Sequence, residues 1–236
     1  MANIVQFENV GLRYGTGPET LSDVSFTLAT GAFYFLTGAS GAGKTSLLKL
    51  LYLAQRPTRG TIRLFGEDAV TLPRARLPGF RRRIGVVFQD FRLIPHLSAY
   101  DNVALPLRVT GMPESEVETP VREMLAWVGL HERANAKPAT LSGGEQQRIA
   151  IARSVIGRPE MLVADEPTGN VDPDMAERLI HLFESLNRLG TTVVVATHDF
   201  QLLNRVPRAH LMRIEGGRLA DPTGVLRFPP RGPEPR

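Results

Sequence analysis

The chain has no cysteine, a single tryptophan, no hydrophobic run of bilayer length and no excess of acidic charge. Without cysteine there can be no disulfide staples and no thiolate metal sites, which fits a reducing compartment. No stretch approaches the roughly 18 consecutive apolar residues that span a bilayer. The opening MANIVQFENV lacks the basic flank and apolar block of a secretory signal. The expectation is a protein that stays in the cytoplasm. Internal repeats and heptad runs are also missing, and low complexity is confined to the C-terminal FPPRGPEPR.

What is present is a globular composition. The 236 residues are 42% hydrophobic and 22% charged, enough to bury a sizeable core. We expect one domain over residues 1–226 and a flexible Pro/Arg-rich tail over 227–236. Formal net charge is +4; Arg227, Arg231 and Arg236 against Glu234 place +2 of it in the tail, so the body is close to neutral. A second basic run, Arg74, Arg76, Arg81, Arg82 and Arg83, offers a face for anionic lipid or nucleic acid. Such runs are more commonly just solvated linker.

Strand-like segments open the chain at Val5 to Val10 and Val24 to Leu28, followed by the apolar run Phe33 to Thr37. Buried parallel strands read as continuous apolar runs, and two more lie at Met161 to Ala164 and Thr192 to Ala196. Between the first three strands and these two, residues from about Asp90 to Gly157 carry helical periodicity and little strand signal, which predicts an inserted helical lobe. Within it Val117, Val121, Met124, Leu125 and Val128 recur at helical spacing and stop at Gly129. Met175, Leu179, Leu182, Phe183 and Leu186 do the same before Gly190. Both stripes read as core.

Gly38, Ala39, Ser40, Gly41, Ala42, Gly43, Lys44 and Thr45 form GASGAGKT, a phosphate-binding loop pattern. It follows an apolar strand and precedes the helical run from Ser46 to Tyr52, so backbone N–H groups and a helix N-terminus converge on one anion. Lys44 is expected to reach the β and γ phosphates of ATP and Thr45 to put its hydroxyl on Mg²⁺. In MLVADE, residues 161–166, an apolar strand delivers Asp165 to the carboxyl edge of the sheet, where it suits Mg²⁺. Glu166 suits a general base, since a second carboxylate is not needed merely to hold the metal.

At Leu141 to Gln146 the chain reads LSGGEQ, between the two nucleotide motifs. Here it resembles the ATP-binding-cassette family, over about Ile4 to Gly217. A Ser-Gly-Gly entering a helix is physically a second anion site: Ser142 can cap, and Gly143 and Gly144 let backbone approach phosphate. The resemblance implies a cassette ATPase fold, an α/β P-loop core of RecA type with an N-terminal antiparallel β-subdomain and an inserted helical lobe. It also implies that Tyr14 stacks on adenine and that Gln89 senses Mg²⁺ and water. Residues Asn170 to Asp172 would link two copies, and His198 would contact the γ-phosphate. Ser46 joins the phosphate loop, and Ser142, Gly143, Gly144 and Glu145 join the ATP contacts. Departures from the pattern are small: Ala39 replaces a common proline and Val171 a usual leucine, and neither removes a ligand atom.

The family further implies a head-to-tail homodimer with two ATP molecules, each held between one copy's phosphate loop and the other's LSGGEQ. The stretches YLAQRPTRG (52–60), VVFQDFRLIPHLSAYDNVALPL (86–107) and LSGGEQQRIAIAR (141–153) resemble the bacterial cell-division branch of the family. The last of these is shared with lipoprotein-release and export cassettes, which remain the competing reading. The division branch implies an integral membrane partner and a position on the inner face of the plasma membrane. Phe91, Leu93, Ile94, Leu97 and Val103 either line a groove for a helix of that partner or pack inside the lobe. Cohesin-like and repair cassettes need a long coiled-coil insertion, and the interval from Thr45 to Leu141 is too short for one. No nucleic-acid partner is expected.

Overall fold

A computed structural model describes residues 2–169, 171, 173–220 and 226–227. The chain opens with β1 (Asn3–Arg13), β2 (Glu19–Ala29) and β3 (Phe33–Thr37), and the phosphate loop then leads into α1 (Lys44–Leu51). Next come β4 (Arg59–Leu64), β5 (Glu67–Asp68), α2 (Leu77–Arg82) and β6 (Ile84–Val87). Three helices follow, α3 (Ala99–Val109), α4 (Glu114–Trp127) and α5 (Gly143–Val155). The remainder is β7 (Met161–Asp165), α6 (Pro173–Arg188), β8 (Thr192–Ala196), α7 (Phe200–Leu203), β9 (His210–Glu215), β10 (Arg218–Leu219) and β11 (Leu226–Arg227).

Two sheets divide the strands. One is antiparallel in the order β2-β1-β4-β5; the other runs β10-β9-β3-β8-β7-β6, with β11 also on β9. Pairing from β9 through β3, β8 and β7 to β6 is parallel. The reason is legible in the residues: FYFLT in β3 and TVVVA in β8 are buried at every position, as strands covered on both faces must be. Leu47, Leu48, Leu50 and Leu51 of α1 cover one face, together with the inner side of β1 and β2. Ile151 and Val155 of α5 and Leu179, Ile180 and Phe183 of α6 cover the other. Such burial removes apolar area from water at about 25 cal/mol per Å², which is what holds the layers together.

The helices from α3 to α5 form the expected lobe around Val103, Leu107, Val117, Val121, Leu125 and Ile149. Val117, Val121 and Leu125 sit at i, i+4 and i+8 and are fully buried, and α4 ends where Gly129 takes a φ of 68°. Ser98 caps α3 reciprocally with Asp101, and Ser142 caps α5 reciprocally with Glu145. Below the first cap the fully buried Asn102 accepts from Ile94 N at 2.8 Å and donates to Ser98 O at 3.0 Å and Ile94 O at 3.2 Å. It therefore fixes the chain between β6 and α3. Asn102→Leu leaves Ile94 N without its acceptor, whereas Ile94 O keeps Leu97 N and Ser98 O keeps the backbone N–H of residue 102, and we expect a loss of about 1–2 kcal/mol in denaturant unfolding.

Three of the five arginines of the basic run are structural rather than a free cationic face. Arg76 makes a bidentate pair with Glu67, Arg81 donates to Leu53 O at 2.8 Å, and Arg83 pairs with Glu160 while its guanidinium lies 3.8 Å from the Phe65 ring centroid. Glu67 and Glu160 offset the charge of Arg76 and Arg83, and the carbonyl of Leu53 ties Arg81 to the body of the domain. Of the five apolar residues considered for a partner groove, Val103 is lobe core and Leu93 packs against it. Only Ile94 lines the groove between lobe and sheet, with Val86, Phe88, Leu105 and the 59% exposed Val109. Among the described residues no helix is long and apolar enough to cross a membrane.

Candidate nucleotide site

The loop between β3 and α1 is shaped by glycines at positive φ, two of which have no room for a side chain. At Gly38, with φ 150°, a Cβ would lie 2.3 Å from Ile214 O. At Gly43, with φ 110°, it would meet a Leu21 methyl at 2.8 Å. The loop is thus wedged between β9 and the antiparallel sheet and leads directly into the N-terminus of α1. That helix begins at Lys44, two residues earlier than the apolar pattern suggests, because Leu47 N donates to Gly43 O at 2.9 Å and so starts the helical ladder.

One cleft of about 740 Å³ gathers most of the residues expected from sequence. Gly38, Ala39, Ser40, Gly41, Gly43, Lys44, Thr45 and Ser46 form its floor. Tyr14, Gln89, Asp165, Glu166 and His198 form its walls. These come from the end of β1, the residues after β6, the end of β7 and the residues after β8, so the carboxyl edge of the parallel sheet supplies all of the last four. Ala42 is buried behind the loop. Thr20, at the start of β2, also lines the cleft. It is a wall residue that sequence reasoning missed, because nothing local marks where the antiparallel sheet meets the phosphate loop.

The geometry within the cleft is specific. Lys44 Nζ donates to Gly38 O at 2.8 Å and Ala39 O at 3.3 Å and stands 3.8 Å from Glu166 Oε1. His198 Nδ1 lies 2.9 Å from Glu166 Oε2, whose carboxylate also accepts from His198 N at 3.4 Å. Tyr14 Oη is 3.2 Å from Ser46 Oγ, so its ring stands over the start of α1, exposed to solvent. Glu166 itself has a φ of 46°, a left-handed conformation that costs an ordinary residue about 1 kcal/mol or more. It is held there by donating its N–H to Ala196 O at 2.9 Å, one residue past the end of β7.

Burial pushes the Asp165 carboxyl above its ordinary value; a hydrogen bond from the Thr45 hydroxyl pulls it down, and the neighbouring Glu166 charge raises it again. A half-buried carboxylate with a hydroxyl on it and a second carboxylate beside it is a place where a cation would relieve the electrostatics. Thr45, Asp165 and Gln89 offer only oxygen ligands to it, the donor set that suits Mg²⁺ when phosphate oxygens complete the shell.

The structure does not bring every expected contact into this cleft. Ser142, Gly143, Gly144 and Glu145 do not line it; they start α5 on the lobe, with Ser142 and Gly143 exposed. Asn170 and Asp172 of the proposed inter-copy loop, and the tail beyond Arg227, lie outside the described residues.

A phosphate loop at the sheet edge, an acidic pair on the adjoining strand and an inserted helical lobe define an ATPase of the cassette class. The chain belongs to the ABC transporter family, whose sequence profile matches residues 21–169. Over 214 residues it is 41% identical to the cell division ATP-binding protein FtsE of Bacillus subtilis (strain 168), covering 91% of this chain and 93% of that one. Over 202 residues it is 45% identical to the cell division ATP-binding protein FtsE of Escherichia coli (strain K12), covering 86% and 91%. Among solved structures, the ATP-binding cassette MJ0796 in a dimeric post-hydrolysis state bound to ADP and Pi has a TM-score of 0.88 at 33% identity, covering 97% of this chain and 99% of that one. A further dimeric structure of MJ0796 has a TM-score of 0.86 at 34% identity, covering 92% and 97%. The expected fold, family and cell-division branch therefore hold.

Proposed function

We propose that this chain is the ATP-hydrolysing subunit of a bacterial cell-division complex, working as an ATP-dependent head-to-tail homodimer that drives an integral membrane partner resembling FtsX. The observation that carries the reading is the division of the site. The cleft holds a phosphate loop, an acidic pair and a histidine, while the LSGGEQ end of α5 is exposed away from it, available to a second copy. The similarity to dimeric cassettes and to division proteins supports both halves of the proposal. An export cassette would share the motifs, but the identity to division relatives favours the present reading.

In this mechanism the loop amides and Lys44 bind the phosphates, Lys44 exchanging the carbonyls of Gly38 and Ala39 for phosphate oxygens. Removing Lys44 from the side of Glu166 leaves that carboxylate oriented by His198 and able to take a proton from the attacking water. Thr45, Asp165 and Gln89 would hold Mg²⁺, which when bound neutralises charge developing on the phosphates. Tyr14 stacks on adenine. Ser142, Gly143 and Gly144, at the positive end of α5, approach the γ-phosphate held by the other copy. Closing and reopening of the pair is the mechanical output, delivered on the inner face of the plasma membrane.

Steady-state phosphate release with and without the co-expressed membrane partner tests the activity, and depletion tests its purpose: filamentous cells favour division, accumulated substrate favours export. The groove lined by Ile94 and Val109 is the surface assigned to the partner. A double change of Ile94→Asp and Val109→Asp should retain phosphate release in solution and lose co-sedimentation with membranes containing the partner. Unchanged co-sedimentation would remove the groove from the account.

A further inference from the structure

Helix α5 carries a second polar contact that no motif describes. Gln147 is only 1% exposed, yet its amide Nε2 donates to Pro167 O at 2.7 Å. Only the amide nitrogen can donate to a carbonyl, so the orientation of this side chain is fixed. Pro167 directly follows Glu166, the residue with the left-handed backbone. Among the described residues, the backbone of the loop bearing Glu166 is tied to its neighbours by Glu166 N to Ala196 O from β8 and by Pro167 O to Gln147 from α5, and Gly169 N closes the turn onto Glu166 O at 3.2 Å. The bonds to Ala196 O and Glu166 O are backbone contacts that most sequences could make. The bond to Pro167 O depends on one side chain from another element.

The same helix begins with the capped Ser142 and Gly143, so Gln147 lies one turn, about 6 Å, along a rigid rod from the end that faces outward. That rod is bedded in two cores at once, Ile149 and Ala152 in the lobe and Ile151 and Val155 under the sheet. It cannot shift without carrying the Gln147 amide with it.

We propose that Gln147 is a positioning residue that holds the Glu166 carboxylate in its working place and links it to the LSGGEQ end of its own chain. Engagement of that end by a second copy's nucleotide then bears on the catalytic loop of the first copy through one buried hydrogen bond. The inference rests on the reading of Glu166 as the base, and its test separates the two.

Gln147→Met keeps length and shape and removes the donor. We expect kcat to fall about tenfold, the scale of one buried hydrogen bond, while KM for ATP changes less than about twofold because no phosphate or adenine contact is touched. A role in general stability alone would not produce the second result: in a Glu166→Gln background, Gln147→Met should lower the residual rate no further, since the group it positions is already gone. Gln147→Asn, which withdraws the amide by one methylene, carries the same expectations and serves if the Met variant does not fold. Unchanged kcat, or losses that multiply in the double variant, would overturn the role of Gln147. Undiminished hydrolysis by Glu166→Gln alone would instead overturn the assignment of the base.

Discussion

A Glu166→Gln variant should bind ATP as tightly as the parent chain, release phosphate roughly 10²–10⁴-fold more slowly, and accumulate as a closed dimer when ATP is present. The effect arises from the two carboxylates. Asp165 is already pushed toward its neutral form by burial, with Glu166 adding to the push. Replacing Glu166 by its isosteric amide removes negative charge from the cleft without altering its shape, so the incoming phosphates meet less repulsion. The amide oxygen can still accept from His198 N, which preserves the loop. What is lost is the capacity to take a proton from water. Binding and closure then proceed, and the step that reopens the pair does not. Gel filtration with ATP checks the dimer and a phosphate-release assay checks the rate. A monomer in the presence of ATP, or a rate within severalfold of the parent, would contradict the assignment.

The site was legible in sequence to the extent that its chemistry is local. GASGAGKT places its amides, lysine and hydroxyl within one turn, and the strand before it is apolar throughout, so the direction of the loop follows from the order of residues. Asp165 and Glu166 were readable for the same reason, at the end of a strand buried along most of its length. His198 and Gln89 came only through family resemblance, and the structure puts both in the cleft. What stayed hidden depends on tertiary placement. Thr20 reaches the cleft because Gly43 and Gly217 sit hard against the backbone of Thr20 and Leu21, with no signal of its own. The arginines at 76, 81 and 83 read as a cationic run because their partners, Glu67, Leu53 and Glu160, lie 9, 28 and 77 residues away in sequence. Nothing local marks Gln147, the residue after LSGGEQ, as buried and bound to another element.

The division of the site between copies predicts a recovery of activity that a self-sufficient chain could not give. Lys44→Ala removes the phosphate ligand from the cleft, and Gly143→Asp places a carboxylate at the start of α5, where it would face the γ-phosphate of the other copy. The second change should leave the fold intact, since a Cβ added at Gly143 meets nothing within 4 Å, and an acidic residue in the first turn of a helix is electrostatically favourable. Each variant alone should be nearly inactive, because every homodimer has two damaged sites. Mixed one to one, half of the randomly formed pairs are heterodimers. In each of these one site has both defects, whereas the other joins the intact phosphate loop of the Gly143→Asp chain to the intact LSGGEQ of the Lys44→Ala chain. The mixture should therefore recover up to about a quarter of the parental rate, by the symmetry of a two-fold pair. Recovery should rise with total protein concentration, as association requires, and light scattering with ATP should report the dimer in parallel. If dimers form and the mixed sample stays as inactive as its components, the two halves of the site do not meet across copies.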